Sequence, residues 1–140
     1  MIVADTNVIS ELTRQAPAPD VVSWLDSLAA SDVATTAITA AELLYGVARL
    51  PDGRRKTELS AAVHGLLSDD FGGRVLPFDQ LAAGRYAEVV SRREQLGQPI
   101  GTADAQIAAI CSAVGATLAT RNIADFKDTG IELINPWSLA

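Results

Sequence analysis

Four acidic residues are spaced so that a parallel sheet flanked by helices would carry them to one edge. Asp5 follows the apolar run Ile2-Val3-Ala4, Glu42 lies within Ile38-Thr39-Ala40-Ala41-Glu42-Leu43-Leu44, Asp104 within Gly101-Thr102-Ala103-Asp104-Ala105-Gln106, and Asp125 follows Thr117-Leu118-Ala119-Thr120-Arg121-Asn122. Carboxylates gathered in one place repel one another unless a hard cation such as Mg²⁺ or Mn²⁺ neutralises them. The pattern therefore points to a metal-dependent enzyme. The single histidine, His64, is remote in sequence from every acid and reads as a surface residue. The single cysteine, Cys111, sits in the helical pattern Ile107-Ala108-Ala109-Ile110-Cys111 and reads as a small buried hydrophobe. A histidine-rich or thiolate zinc site is thereby excluded, as is a nuclease working with two histidines. A Ser-His-Asp triad would have to recruit His64 and has no supporting motif. The chemistry that uses several carboxylates and no other special group is hydrolysis of a phosphodiester, with one or two divalent ions activating the water and stabilising the leaving oxygen.

Each acid also has a plainer reading when taken alone. Asp5 is then a helix N-cap, Asp104 an acid favoured by a helix dipole, and Asp125 an ordinary loop residue. Glu42 resists this treatment. Its helix carries Ile38, Ala40, Ala41, Leu43, Leu44 and Val47 and is apolar nearly all round, so an unpaired glutamate there is expected to be buried at a cost of several kcal/mol. A metal would remove that cost.

The elements that must position these residues alternate along the chain. Strands are expected at residues 2–4, 32–35, 74–77, 116–119 and 131–134. Helices are expected from Thr6 through Leu12, from Asp20 through Leu28, from Ile38 to Leu50, from Arg54 to Ser68, from about Asp79 to Leu96 and from Thr102 onward. Asp5 or Thr6, Asp20 and Thr102 are the natural caps. Parallel strands need crossover connections, so the expected fold is a three-layer α/β/α sandwich around a short, mainly parallel five-stranded sheet, with ligands at the carboxyl edge. A chain of 140 residues, about half of them apolar, suits a single domain spanning 1–140. No apolar run approaches the ~20 residues that span a bilayer, and Met1 leads straight into a strand, so a soluble, cytoplasmic protein is expected. A net charge of −6 argues against holding nucleic acid by bulk positive charge. Arg49, Arg54, Arg55 and Lys56 form one candidate RNA-contacting patch, and Arg92 with Arg93 a second, although charge runs are usually solvated helix faces.

Several stretches together resemble the PIN-domain ribonucleases. They are Asp5-Thr6-Asn7-Val8-Ile9-Ser10-Glu11-Leu12, Ile38 to Leu43 with Gly46-Val47, Pro99-Ile100-Gly101 to Asp104 with Ile107-Ala108-Ala109, Ala119-Thr120-Arg121-Asn122 to Asp125-Phe126, and Asn135-Pro136-Trp137. Most similar is the VapC/FitB toxin branch of bacterial toxin-antitoxin modules, and the resemblance spans nearly the whole chain. It implies a Mg²⁺- or Mn²⁺-dependent endoribonuclease, usually a homodimer or larger oligomer, held in check by a cognate antitoxin that places a basic side chain in the acidic site. Asp5, Glu42 and Asp104 match the family's catalytic, metal-holding acids. Asp125 matches the fourth, although some relatives carry an acid where this chain has Asn122. Asn7 matches a polar position beside the first acid, implying that it orients a carboxylate or a water.

Two rivals stand beside this reading. A phosphatase of the haloacid dehalogenase type also places an aspartate after its first strand, but calls for a second acid where Asn7 stands. A regulatory or binding module would keep the fold without the activity.

Overall fold

Successive strand residues point to opposite faces of a sheet, and this chain fills both faces with apolar side chains. A computed structural model describes residues 1–139. Its strands are β1 (Ile2–Ala4), β2 (Val33–Thr36), β3 (Val75–Leu76), β4 (Thr117–Ala119) and β5 (Leu133–Ile134). They form one sheet in the order β3-β2-β1-β4-β5, every neighbouring pair parallel. Ala4, Val33 and Ala119 belong to one core cluster and Val3, Ala34 and Leu118 to another, so the period-two alternation divides the interior into two halves.

Helices α1 (Thr6–Leu12), α2 (Pro19–Asp26), α3 (Ala37–Ala48) and α4 (Arg54–Gly65) feed the first half with Val8, Ile9, Val21, Trp24, Leu43, Val47 and Val63. Helices α5 (Gln80–Gln95) and α6 (Thr102–Val114) feed the second with Val89, Ile107, Ala108 and Cys111. The result is the three-layer α/β/α sandwich expected from the sequence. The apolar residues of α2 and α4 lie in the core rather than on a free face. Alanines at 105, 108 and 109 are fully buried and let α6 approach its neighbours closely.

Local chemistry explains where helices begin and end. Asp5 caps α1 by accepting the Thr6 N–H, Thr36 caps α3 by accepting the Thr39 N–H, and Asp79 caps α5 by accepting the Ala82 N–H. Two expected caps are corrected. Asp20 lies inside the first turn of α2, because Pro19 with its fixed φ takes the first helical position and Ala18 the cap. Thr102 is already helical, and the extended Gly101 precedes it as cap. Helix α4 stops at Gly65 and continues to Asp70 only as a π-helical turn. Gly115 ends α6 with φ 67°, a left-handed conformation that glycine adopts without the penalty a Cβ imposes. No helix among the described residues is long and apolar enough to cross a membrane.

Candidate active site

Because β1 and β4 are parallel with Ala4 opposite Ala119, the residues that follow them are neighbours at the carboxyl edge. The Asp5 N–H donates to the Ala119 carbonyl at 2.9 Å, extending the pairing one residue past the strand. Thr120 therefore stands beside Asp5, and its hydroxyl donates to Asp5 Oδ2 at 2.8 Å. Asn7 Nδ2 reaches the same oxygen at 3.3 Å, while the Thr6 N–H occupies Oδ1 at 2.8 Å. Asp5 is 5 % exposed. Burial raises its pKa above the ordinary carboxylate value, against the hydrogen bonds from Thr120 and Thr6, and the charges of Glu42 and Asp125 raise it further.

Glu42 comes from α3, across the edge. The Thr6 hydroxyl donates to Glu42 Oε1 at 2.8 Å and lies 3.1 Å from the Thr39 hydroxyl. One expectation is overturned here. Glu42 is exposed, as are Ala41, Leu44 and Tyr45, while the buried face of α3 is Thr39, Leu43 and Val47. Alanine and leucine on this helix face solvent, so its apolar composition does not bury the glutamate. Asp104 projects from the first turn of α6. Its pKa is pushed up to about 6, first by burial, then by the charges of Asp5, Asp125 and Glu42, with Arg93 acting in the opposite direction. These two raised carboxyls describe a site crowded with negative charge.

Asp5, Glu42 and Asp104 line one cleft of about 580 Å³, together with Asn7 and Asn122. Asp125 does not line it. That residue is exposed on the 3-10 turn Ile123–Phe126, near enough for its charge to reach Asp5 and Asp104. The donor set consists of carboxylates and amides, the hard oxygen chemistry that suits Mg²⁺ or Mn²⁺. Among the described residues, no three acids already form a ready-made coordination group. A hard divalent ion that keeps several waters fits such a cleft better than one demanding a full protein cage.

The cleft also holds residues for which no role is expected from sequence. Arg14 and Arg121 stand at its rim with Trp137, and Glu11 forms part of the wall. Glu11 is buried; its Oε2 accepts the Ala18 N–H at 2.9 Å and its Oε1 lies 3.4 Å from Arg14 Nη1. It thus ties the start of α2 to α1 and holds Arg14 near the rim. The sequence signal for Arg121 and Trp137 was positional, since each closely follows a strand and so lies at the same edge as Asp5.

Of the expected basic patch, Arg49 and Arg55 line a neighbouring groove that shares Thr6, Ser10 and Glu42 with the cleft. Arg54 is paired with Glu58 at 2.8 Å and Lys56 with Asp52 at 3.4 Å. The second patch does not exist as a surface. Arg92 is exposed, but Arg93 is buried and donates to the carbonyls of Gln98, Asp125 and Lys127. His64 is exposed with Nδ1 2.8 Å from the Ser60 carbonyl, and Cys111 is fully buried.

Comparison with known proteins places this geometry among relatives. Residues 2–132 match the model of the PIN domain family. The chain is 41% identical over 140 residues to the VapC ribonuclease Y4jK of Sinorhizobium fredii, covering all of both chains. It is 43% identical over 137 residues to the toxin FitB of Neisseria gonorrhoeae, covering 98% of this chain and 99% of that one. Among solved structures, a FitAB complex bound to a DNA fragment contains a chain that superposes with a TM-score of 0.92 at 42% identity, covering 100% of this chain and 98% of that one.

Proposed function

Since the chain belongs to the PIN domain family, we propose that it is a divalent-metal-dependent endoribonuclease acting as the toxin of a toxin-antitoxin pair. The observation that carries this reading is the convergence of Asp5, Glu42 and Asp104 on one cleft, with the Asp104 pKa pushed up to about 6. A site that gathers like charges at that cost is suited to a cation.

Asp5, Glu42 and Asp104 would hold the ion, with Asn122 on the cleft wall and Asp125 supplying charge from the adjoining turn. What a divalent ion supplies there is Lewis-acid activation of a water and neutralisation of the phosphate charge. The chain's own residues fix the acids before the reaction. Thr6, Asn7 and Thr120 leave Asp5 a single orientation, and Thr6 also fixes Glu42. Holding groups in place beforehand lowers the barrier without reorganisation at the moment of reaction. Arg49 and Arg55 line the adjoining groove, which supports assigning them contacts with the RNA backbone beyond the acids.

The same cleft accounts for inhibition. An arginine from a partner chain could pair bidentately with the carboxylates and take the cation's place. The solved relatives include complexes named FitAB and VapBC, which supports a cognate antitoxin as that partner. Leu44 and Tyr45 on α3 and Leu81 on α5 are exposed and apolar, which supports a further contact with a second copy of the chain. The phosphatase reading is disfavoured, because both oxygens of Asp5 already accept hydrogen bonds and Asn7, not an acid, faces them.

The test is cleavage of single-stranded and structured RNA by the purified chain with Mg²⁺, with Mn²⁺ and with chelator. Asp5→Asn and Asp104→Asn are run alongside. Metal-dependent cutting that both variants lose is the expected result. Cutting that survives in chelator, or in either variant, would sink the site assignment.

A further inference from the structure

Arg121 lies over the indole of Trp137, its guanidinium carbon 5.0 Å from the ring centroid. Trp137 is half-buried against the core cluster that contains Ala119, and its backbone N–H donates to Asn135 Oδ1 at 2.9 Å. That packing seats the ring beneath Arg121. Arg121 is exposed, and among the described residues its side chain forms no ion pair, although acids line the cleft beside it. Its backbone N–H donates to Asn7 Oδ1 at 3.2 Å, and Asn7 in turn contacts Asp5. One amide side chain thus joins this layered pair to the acidic site.

A chain with net charge −6 and an acidic cleft repels a polyphosphate backbone, so binding by phosphate contacts alone is unfavourable. Contacts to the uncharged bases add attraction that offsets that repulsion. A guanidinium over an indole offers such a contact, because bases stack on arginine planes and on aromatic rings alike.

We propose that Arg121 and Trp137 form a platform on which an unpaired nucleobase of the RNA stacks beside the acidic cleft. The inference rests on the ribonuclease reading above and extends it to a base-contacting subsite beside the acids. An A-form duplex keeps its bases stacked within the helix and has none to offer.

The test compares binding of a short oligo(A) with binding of an abasic ribose-phosphate strand of equal length, both followed by fluorescence anisotropy in chelator, where neither strand is cut. The parent is expected to favour oligo(A) by roughly tenfold. Arg121→Lys keeps the charge but loses the flat face, and being exposed it leaves the fold intact; it should bring the two strands near parity. Trp137→Leu should do the same. Equal binding of the two strands by the parent, or an undiminished preference in Arg121→Lys, would overturn the platform. The nuclease reading is scored separately by metal-dependent cutting. A parent that cuts yet ignores the bases loses only the platform, and one that favours bases yet never cuts loses only the nuclease.

Discussion

Thr6 donates its hydroxyl to Glu42 at 2.8 Å while its backbone N–H donates to Asp5 at 2.8 Å, so one residue at the start of α1 sets the relative position of two acids 37 residues apart in sequence. The backbone bond comes with the cap and survives any substitution that keeps the helix. The hydroxyl bond does not.

Thr6→Val therefore removes only the hold on Glu42. A hydrogen bond to a charged group contributes about 1.5–3 kcal/mol, and the exposure of Glu42 puts this one at the low end. RNA cleavage is expected to fall roughly tenfold with little change in melting temperature, and Thr6→Ser should restore it. Unchanged cleavage by Thr6→Val would show that the Glu42 position does not depend on Thr6.

Arg93 makes a different kind of prediction, because it is buried and donates to three backbone carbonyls on two loops. One of those carbonyls belongs to Asp125, so the arginine anchors the turn that carries the fourth acid. Arg93→Ala would strand three acceptors and open a cavity, at a cost of about 3 kcal/mol or more. A melting temperature lower by roughly 10 °C is expected. Lysine lacks the fork that serves carbonyls in different directions, so Arg93→Lys should recover little of it. A surface role, such as contacting RNA, would leave the melting temperature where it was.

The behaviour of Arg93 shows where sequence reading reached its limit. Apolar runs bounded by Gly, Pro and capping residues announced five strands and the helices between them, and the acids following β1 and within the first turn of α6 were placed from that pattern alone. Side-chain burial on a helix was harder. The apolar neighbours of Glu42 suggested an enclosed glutamate, yet alanines and Leu44 lie on the solvent face of α3. Arg92 and Arg93 are adjacent and alike in charge, but consecutive helical residues point about 100° apart, so one meets solvent and the other the interior. Arg14, Arg121 and Trp137 are brought to one rim by three different elements, a juxtaposition that only the folded chain reveals.

Cys111 offers a check on the exclusion of thiol chemistry. Burial, followed by the charge of Asp5, pushes its thiol up to about 12. At pH near 8 only about one molecule in ten thousand would carry the thiolate. Native protein is expected to react with a thiol reagent at least a hundredfold more slowly than the denatured chain, and Cys111→Ala should cleave RNA as the parent does. Rapid labelling of the native chain would mean that the helix face bearing Cys111 opens readily.

The charge on Asp104 predicts how the metal-free protein responds to pH. Its folded pKa is about 6 against 3.8 for the ordinary carboxyl, so between these values the folded state binds more protons than the unfolded state. The stabilisation from that proton is fully present below about pH 4 and is lost as pH rises through about 6. Because Asp104 is only half-buried, solvent screening reduces the effect to about 1 kcal/mol, or roughly 3 °C in melting temperature. In chelator near pH 7, Asp104→Asn should therefore melt above the parent, and the gap should narrow toward pH 4. Added Mg²⁺ should raise the parent's melting temperature and leave the variant's almost unmoved, closing the gap from the other side. A gap of the same size at both pH values would mean that Asp104 carries no strain from its acidic neighbours, and the case for a cation among them would lose its electrostatic basis.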